Sequence, residues 1–172
     1  MRDAALLGAR FLLGGYMGIH ASQKLFGKFH GPGLEAISKV FEDNGLYPGR
    51  EMALAASATE ITGGVLTITG IADPVGPLAV AGAMAVAAAF NRERGLMAAR
   101  NGVELPVVYA TLALTLAATG AGKYKIGPSV PGGLAAVGAL AGGVAAGALI
   151  AKMVTSKPAP PEVAAEPLGA DA

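Results

Sequence analysis

Long stretches of the chain carry no charged side chain. Residues 74–91, 105–122 and 126–151 have none, residues 52–72 have only Glu60, and residues 4–23 have Arg10 and the ionisable His20. A helix needs about 20 mostly apolar residues to cross the hydrocarbon core of a bilayer. The pattern therefore predicts spans at roughly 4–23, 51–71, 75–91, 105–121 and 133–151. A closed barrel is the other way to span a membrane, and it needs alternating strands of about ten residues. The runs here are continuous and rich in alanine, so the prediction is helical. The first run is read as a retained helix, because Arg10 interrupts its apolar stretch and Ile19-His20-Ala21 is a poor small-x-small cleavage site.

Turn residues separate the runs. Asp73-Pro74 and Gly76-Pro77 predict a tight antiparallel hairpin between the second and third spans. Residues 24–50 are too patterned for a plain connection. After Gly31-Pro32-Gly33, Leu34, Ile37, Val40 and Phe41 recur at helical spacing, Glu35, Lys39, Glu42 and Asp43 take the other faces, and Asn44-Gly45 is a stop signal. This predicts an amphipathic helix at about 32–45, lying on a membrane surface or capping the bundle. The expected architecture is all-α: a polytopic four-helix membrane bundle over 1–126, an additional transmembrane helix within 127–154, and a disordered proline-rich tail over 155–172. Small residues let helices approach closely, so Gly14, Gly18, Gly63, Gly64, Gly138 and Gly142 are candidate packing positions.

Composition narrows the class. Hydrophobic residues make up 53%, charged residues 15%, and mean hydropathy is +0.53. A soluble domain carries about 25% charged residues to wet its surface, so a plain soluble enzyme is a poor fit. The net charge of +1, with no basic run, leaves nucleic acid without an electrostatic footprint. With no cysteine, the chain has neither disulfides nor thiolate ligands. Cations fall unevenly on the two sides of the predicted bundle. Arg2, Lys123 and Lys125 lie on one side; Lys24, Lys28, Lys39, Arg50, Arg92, Arg94, Arg100, Lys152 and Lys157 lie on the other. The positive-inside rule then places the N-terminus outside and the C-terminus in the cytoplasm, in the plasma membrane.

Candidate chemistry lies at membrane depth, where a charge at a helix centre costs at least about 2.5–3.5 kcal/mol. Taking Arg10 as reference, His20 falls near −80° and Lys24 near −40° at about 100° per residue, so the first helix has one polar face. Antiparallel packing of the first two spans puts Glu60 between the depths of Arg10 and His20, within reach of Arg10, and an Arg10–Glu60 pair is expected. Glu104 enters from the same side as Lys24, with Tyr109 one turn deeper. Arg10, His20, Lys24, Glu60, Glu104 and Tyr109 form the candidate cluster. Two readings stay open: a pair that fixes helix register, and a functional site that contacts a ligand or relays protons. Only His20 and His30 could ligate haem; ten residues of helix would set them about 15 Å apart, and Gly27 and Gly31 break the helix around His30, so they do not clamp one haem from two sides as spanning-helix ligands. No metal site or resident cofactor is expected, so redox chemistry would use a diffusible quinone or a partner's cofactor.

The stretch Ala9-Arg10-Phe11-Leu12-Leu13-Gly14, then His20, Gln23-Lys24-Leu25-Phe26-Gly27 and Gly31-Pro32-Gly33, resembles the opening of the DoxX family. Asn44-Gly45-Leu46 with Pro48, Glu60-Ile61-Thr62-Gly63-Gly64, Val103-Glu104-Leu105-Pro106 and Gly122-Lys123-Tyr124 extend the resemblance over about residues 5–126. It implies a small four-helix membrane bundle with Arg10, His20, Lys24, Glu60 and Glu104 as family-typical polar positions. Some relatives are linked to thiosulfate:quinone oxidoreduction or to membrane complexes of oxidative stress. Ala21 stands where a glycine commonly follows the histidine, and the fifth helix is an addition. Two functions follow as expectations: an anchor or assembly subunit of a partner complex or homo-oligomer, and a membrane subunit of a quinone-linked oxidoreductase system. Whether the chain is itself an enzyme stays open.

Overall fold

The computed structural model describes residues 1–135, 137 and 138. Five α-helices organise them: α1 (Arg2–Phe26), α2 (Gly33–Asp43), α3 (Gly49–Thr69), α4 (Val75–Asn91) and α5 (Glu104–Thr119). Two short 3₁₀ turns, Arg92–Arg94 and Ala98–Arg100, fill the α4–α5 connection, and no strand occurs among the described residues. Each of these helices begins and ends close to the bounds expected from the charge-free runs and the amphipathic pattern. Most of the predicted fifth span, including Gly142, and the proline-rich tail lie outside the described residues.

The long helices run up and down. α1 packs chiefly on α3, α3 on α4 and α4 on α5, while the closing contact between α1 and α5 is slight. Leu13 and Met17 of α1, Val80, Ala81 and Met84 of α4, and Ala113 and Leu116 of α5 form the core. α2 lays its half-buried Leu34, Ile37, Val40 and Phe41 toward the bundle and leaves Glu35, Lys39 and Asp43 exposed. Phe41 meets Phe90 edge-on at 5.4 Å, and Glu42 Oε1 accepts a hydrogen bond from the Gly49 amide at 3.1 Å. Those contacts fasten α2 to α3 and to the far end of α4.

Glycine sets the α1–α3 register. A Cβ on Gly14 would sit 2.5 Å from Ile68 Cγ1 and 2.6 Å from the Gly64 carbonyl oxygen, and one on Gly64 would sit 3.0 Å from the Gly14 oxygen. The two backbones therefore touch, as small residues permit in a membrane bundle. Gly63 faces Val80 and Ala79 and gives α4 a similarly close approach. Gly18 and Gly138 do not act this way. Both are exposed, and a Cβ added at either would meet nothing within 4 Å. Gly18 follows Gly14 by four residues but lies outside the buried seam of α1, which runs through Arg10, Leu13, Gly14, Met17 and Ala21.

Burial is reversed relative to a water-soluble protein. Arg10, Ser57, Glu60, Thr67 and Asp73 are buried, whereas Phe11, Leu12, Ile61, Val65, Val86, Val107 and Leu114 are exposed. Two segments, Gly49–Thr69 and Val75–Arg94, are long and apolar enough to cross a membrane. α5 has 16 residues, about 24 Å at 1.5 Å per residue against a core of about 30 Å. α1 has the length, but Arg2, Asp3, Arg10 and Lys24 dilute its apolar character.

Gly14→Leu should force α1 and α3 apart and cost about 1–3 kcal/mol, the usual penalty of overpacking, whereas Gly18→Leu should be silent. Thermal unfolding of the two variants in mild detergent checks this: Tm should fall for the first and stay at the wild-type value for the second.

Candidate functional site

The polar residues divide between the two ends of the bundle. At the end holding the N-terminus, Arg10 is 2% exposed and spends its guanidinium on four backbone carbonyls. Nε donates to Thr67 at 2.8 Å, Nη1 to Ala121 at 2.8 Å and Tyr124 at 2.6 Å, and Nη2 to Ile68. Thr67 and Ile68 belong to the last turn of α3, and Ala121 and Tyr124 follow α5. The end of α3 presents unsatisfied carbonyls and the negative pole of the helix dipole, which a cation relieves, and the segment after α5 adds two further acceptors. Gly70 makes room: its φ is +68°, and a Cβ there would lie 2.9 Å from Arg10 Nη2 and 3.1 Å from Ala121 Cβ. Asp73, 6% exposed, accepts the Ala121 amide at 3.1 Å, while its own carbonyl accepts the Val130 amide at 2.8 Å. Arg2 donates to the Thr119 carbonyl, and Asp3 accepts from the Lys123 amide. The segment after α5 is thus pinned to α1 and α3 at several points.

The expected Arg10–Glu60 pair does not form. Glu60 pairs instead with Lys24, Nζ to Oε1 at 2.5 Å, with the two side chains 19% and 6% exposed. Two physical causes account for the difference. The glycine crossing makes α1 overhang α3 instead of ending level with it, so Arg10, one turn before Gly14, lies opposite Thr67 and Ile68, one turn after Gly64. Helical side chains also lean toward their own N-terminus. Arg10 therefore leans away from the bundle's middle, toward the ends of α3 and α5. Lys24 and Glu60, on antiparallel helices, lean toward each other.

His20 lies one turn before Lys24. Its Nδ1 is 3.2 Å from Gln23 Oε1, and Gln23 Nε2 donates to the Phe29 carbonyl. The His20 ring meets Tyr109 of α5 edge-on at 5.6 Å, and Tyr109 in turn lies 5.5 Å from Tyr16. These rings occupy the lightly packed α1–α5 seam. Glu104 stands apart: it is exposed, and its Oε2 accepts the Ala98 amide at 2.8 Å, closing the α4–α5 connection. Of the six candidates, the structure brings His20, Lys24, Glu60 and Tyr109 to the same half of the bundle. Arg10 lies at the other end and Glu104 at the exposed first position of α5.

Two buried side-chain oxygens have no hydrogen-bond partner among the described residues, Glu60 Oε2 and Thr67 Oγ1. The Glu60 carboxylate can accept one more donor, and Lys24 has donor capacity beyond its single bond. Among the described residues no three His, Asp or Glu side chains converge as a metal site would require. Sequence reading passed over Asp73, Tyr16 and Gln23. A carboxylate directly after an otherwise nearly uncharged run was the available signal for Asp73; nothing in the pattern marked the other two.

A helical bundle that buries Arg10, Glu60 and Asp73 while exposing many large apolar side chains suits a lipid surround. The DoxX family model matches residues 5–92, and the chain belongs to that family of small membrane proteins. The match spans α1 to the end of α4 and takes in Arg10, His20, Lys24 and Glu60, while the resembling elements around α5 lie beyond it. No curated protein and no solved structure matches the chain.

Lys24→Met should leave the buried Glu60 charge without its partner, at a cost of about 3–5 kcal/mol, and Lys24→Met with Glu60→Leu should recover most of that loss. Arg10→Ala should cost at least about 3 kcal/mol, because each stranded buried carbonyl costs about 1–3 kcal/mol. Unfolding measurements on the single and double variants test both statements. A double variant as unstable as Lys24→Met would contradict the pairing, and an Arg10→Ala of wild-type stability would contradict the carbonyl role.

Proposed function

We propose that this chain is a multi-pass protein of the plasma membrane that serves as an anchor or assembly subunit for a partner complex or a homo-oligomer. The reversed burial carries the reading. The buried charged groups are consumed in holding the bundle together: Arg10 by backbone carbonyls, Asp73 by the Ala121 amide, Glu60 by Lys24. The outer face of Phe11, Leu12, Ile61, Val65, Val107 and Leu114 suits hydrocarbon. The cation asymmetry supports an N-terminus outside and the α2 and α4–α5 connections in the cytoplasm.

A second reading is favoured by one observation, the unpartnered Glu60 Oε2 beside Lys24. In it the chain is a membrane subunit of a quinone-linked oxidoreductase system. His20, Lys24, Glu60 and Tyr109 then contact the quinone head group or relay protons, reached through the α1–α5 seam. Purification in mild detergent separates the two. The anchor reading expects a co-purifying protein that survives Glu60→Gln; the quinone reading expects extractable quinone that Glu60→Gln removes.

The topology has its own test, made simple by the absence of cysteine. With a membrane-impermeant maleimide on whole cells, Lys125→Cys should label directly and Glu93→Cys only after permeabilisation. The reverse pattern would invert the orientation.

A further inference from the structure

The α4–α5 connection is more highly built than a linker needs to be. The Gly95 carbonyl accepts the Val103 amide at 3.1 Å, the Leu96 carbonyl accepts the Glu104 amide at 2.9 Å, and the Met97 carbonyl accepts the Arg100 and Gly102 amides, each at 3.0 Å. With Glu104 Oε2 on the Ala98 amide, the segment folds back over the first turns of α5. Leu96, Met97, Val103, Val107 and Val108 line an open groove of about 300 Å³, and the lining carboxylate, Glu104, is already engaged by the Ala98 amide. Leu96 is 70% and Met97 60% exposed, an arrangement that costs free energy in water. Arg92, Arg94 and Arg100 flank this groove in sequence, and all are exposed. Arg92 has Glu93 at 3.7 Å, an ion pair too exposed to hold it. Arg94 donates to the Asn91 side chain and lies over the Phe90 ring.

An apolar groove in a segment that carries three exposed arginines is the complement of one kind of molecule. We propose that the α4–α5 connection binds an anionic phospholipid of the cytoplasmic leaflet, an inference that rests on the membrane reading above. One acyl chain lies along Leu96, Met97, Val107 and Val108, and the phosphate is met by Arg94 and Arg100. Geometry places the groove where such a ligand arrives without leaving the bilayer. From Val103 to Val108 it descends about 7.5 Å along α5 at 1.5 Å per residue, the passage from head group to first methylenes. Guanidinium is suited to the head group, because its fork of donors meets two phosphate oxygens at once. An acidic peptide would satisfy the arginines and leave the apolar groove open to water.

Native mass spectrometry of the full chain tests this, with the protein delipidated in neutral detergent and then titrated with phosphatidylglycerol, phosphatidylcholine or inorganic phosphate. Wild type should retain phosphatidylglycerol in preference to phosphatidylcholine. Arg94→Gln with Arg100→Gln, both surface changes, should weaken phosphatidylglycerol about tenfold, the scale of one lost charge-assisted hydrogen bond. Leu96→Asn with Met97→Ser should weaken both lipids. Equal retention of the two lipids, saturation by inorganic phosphate alone, undiminished retention by the arginine variant, or a dimer that excludes lipid would each overturn the proposal. An alkaline wash of membranes keeps the two readings apart: release of the chain defeats the membrane reading, whereas a retained chain without lipid preference defeats only the groove.

Discussion

A buried arginine must find hydrogen-bond acceptors, and Arg10 finds them in carbonyls at the end of α3 and in the segment that follows α5. Much of the described architecture follows from that constraint. The guanidinium joins the end of α3 to the segment after α5, so α1 is tied to a helix it packs against closely and to a segment whose helix it barely touches. Gly70 is required beside it for space and for positive φ. Asp73 reinforces the same end by holding the Ala121 amide. One cation, the end of α3, the segment after α5 and one turn thus form a single junction. Its low-dielectric surroundings make every one of its bonds stronger and every vacancy more costly.

The Lys24–Glu60 pair governs the other half of the bundle by a different logic. Arg10 neutralises partial charges on the backbone, whereas Glu60 meets a full opposite charge and keeps one oxygen unpartnered. Burial of a pair is a weak source of net stability, but separation of its members is strongly penalised. The pair therefore specifies which faces of α1 and α3 meet more than it strengthens the contact. Its neighbours His20, Tyr109 and Tyr16 lie at the least densely packed edge of the bundle. A spare acceptor, a flexible ammonium and aromatic walls at a loosely closed seam are features that chemistry can use, and they lie in the same half of the bundle.

Helix bounds and the amphipathic nature of α2 were legible because both depend on local patterns of apolar and polar residues. The polar face of α1 was legible for the same reason. The pairing across helices was not. It depends on register, which the contact of Gly14 with Gly64 sets, and on the direction in which each side chain leans. Arg10 was recognisable as a buried charge, but its partners are main-chain carbonyls, which every residue possesses and no sequence marks. Gly14, Gly18, Gly63 and Gly64 look alike in one dimension; only three of them meet another helix. Glu104 begins α5 as expected, but its side chain turns back to the Ala98 amide, a local contact that helical spacing does not mark.

Register is thus the claim on which the site depends, and a cysteine-free chain allows it to be measured in the membrane itself. A Cβ at position 64 would lie 3.1 Å from Met17 Cβ, and disulfide formation needs Cβ atoms about 3.5–4.5 Å apart, within a small backbone shift. Met17→Cys with Gly64→Cys should cross-link rapidly under mild oxidation of native membranes, while Arg10→Cys with Glu60→Cys should not. Rapid cross-linking of the second pair with failure of the first would show that α1 and α3 end level, and would contradict the account of both polar junctions.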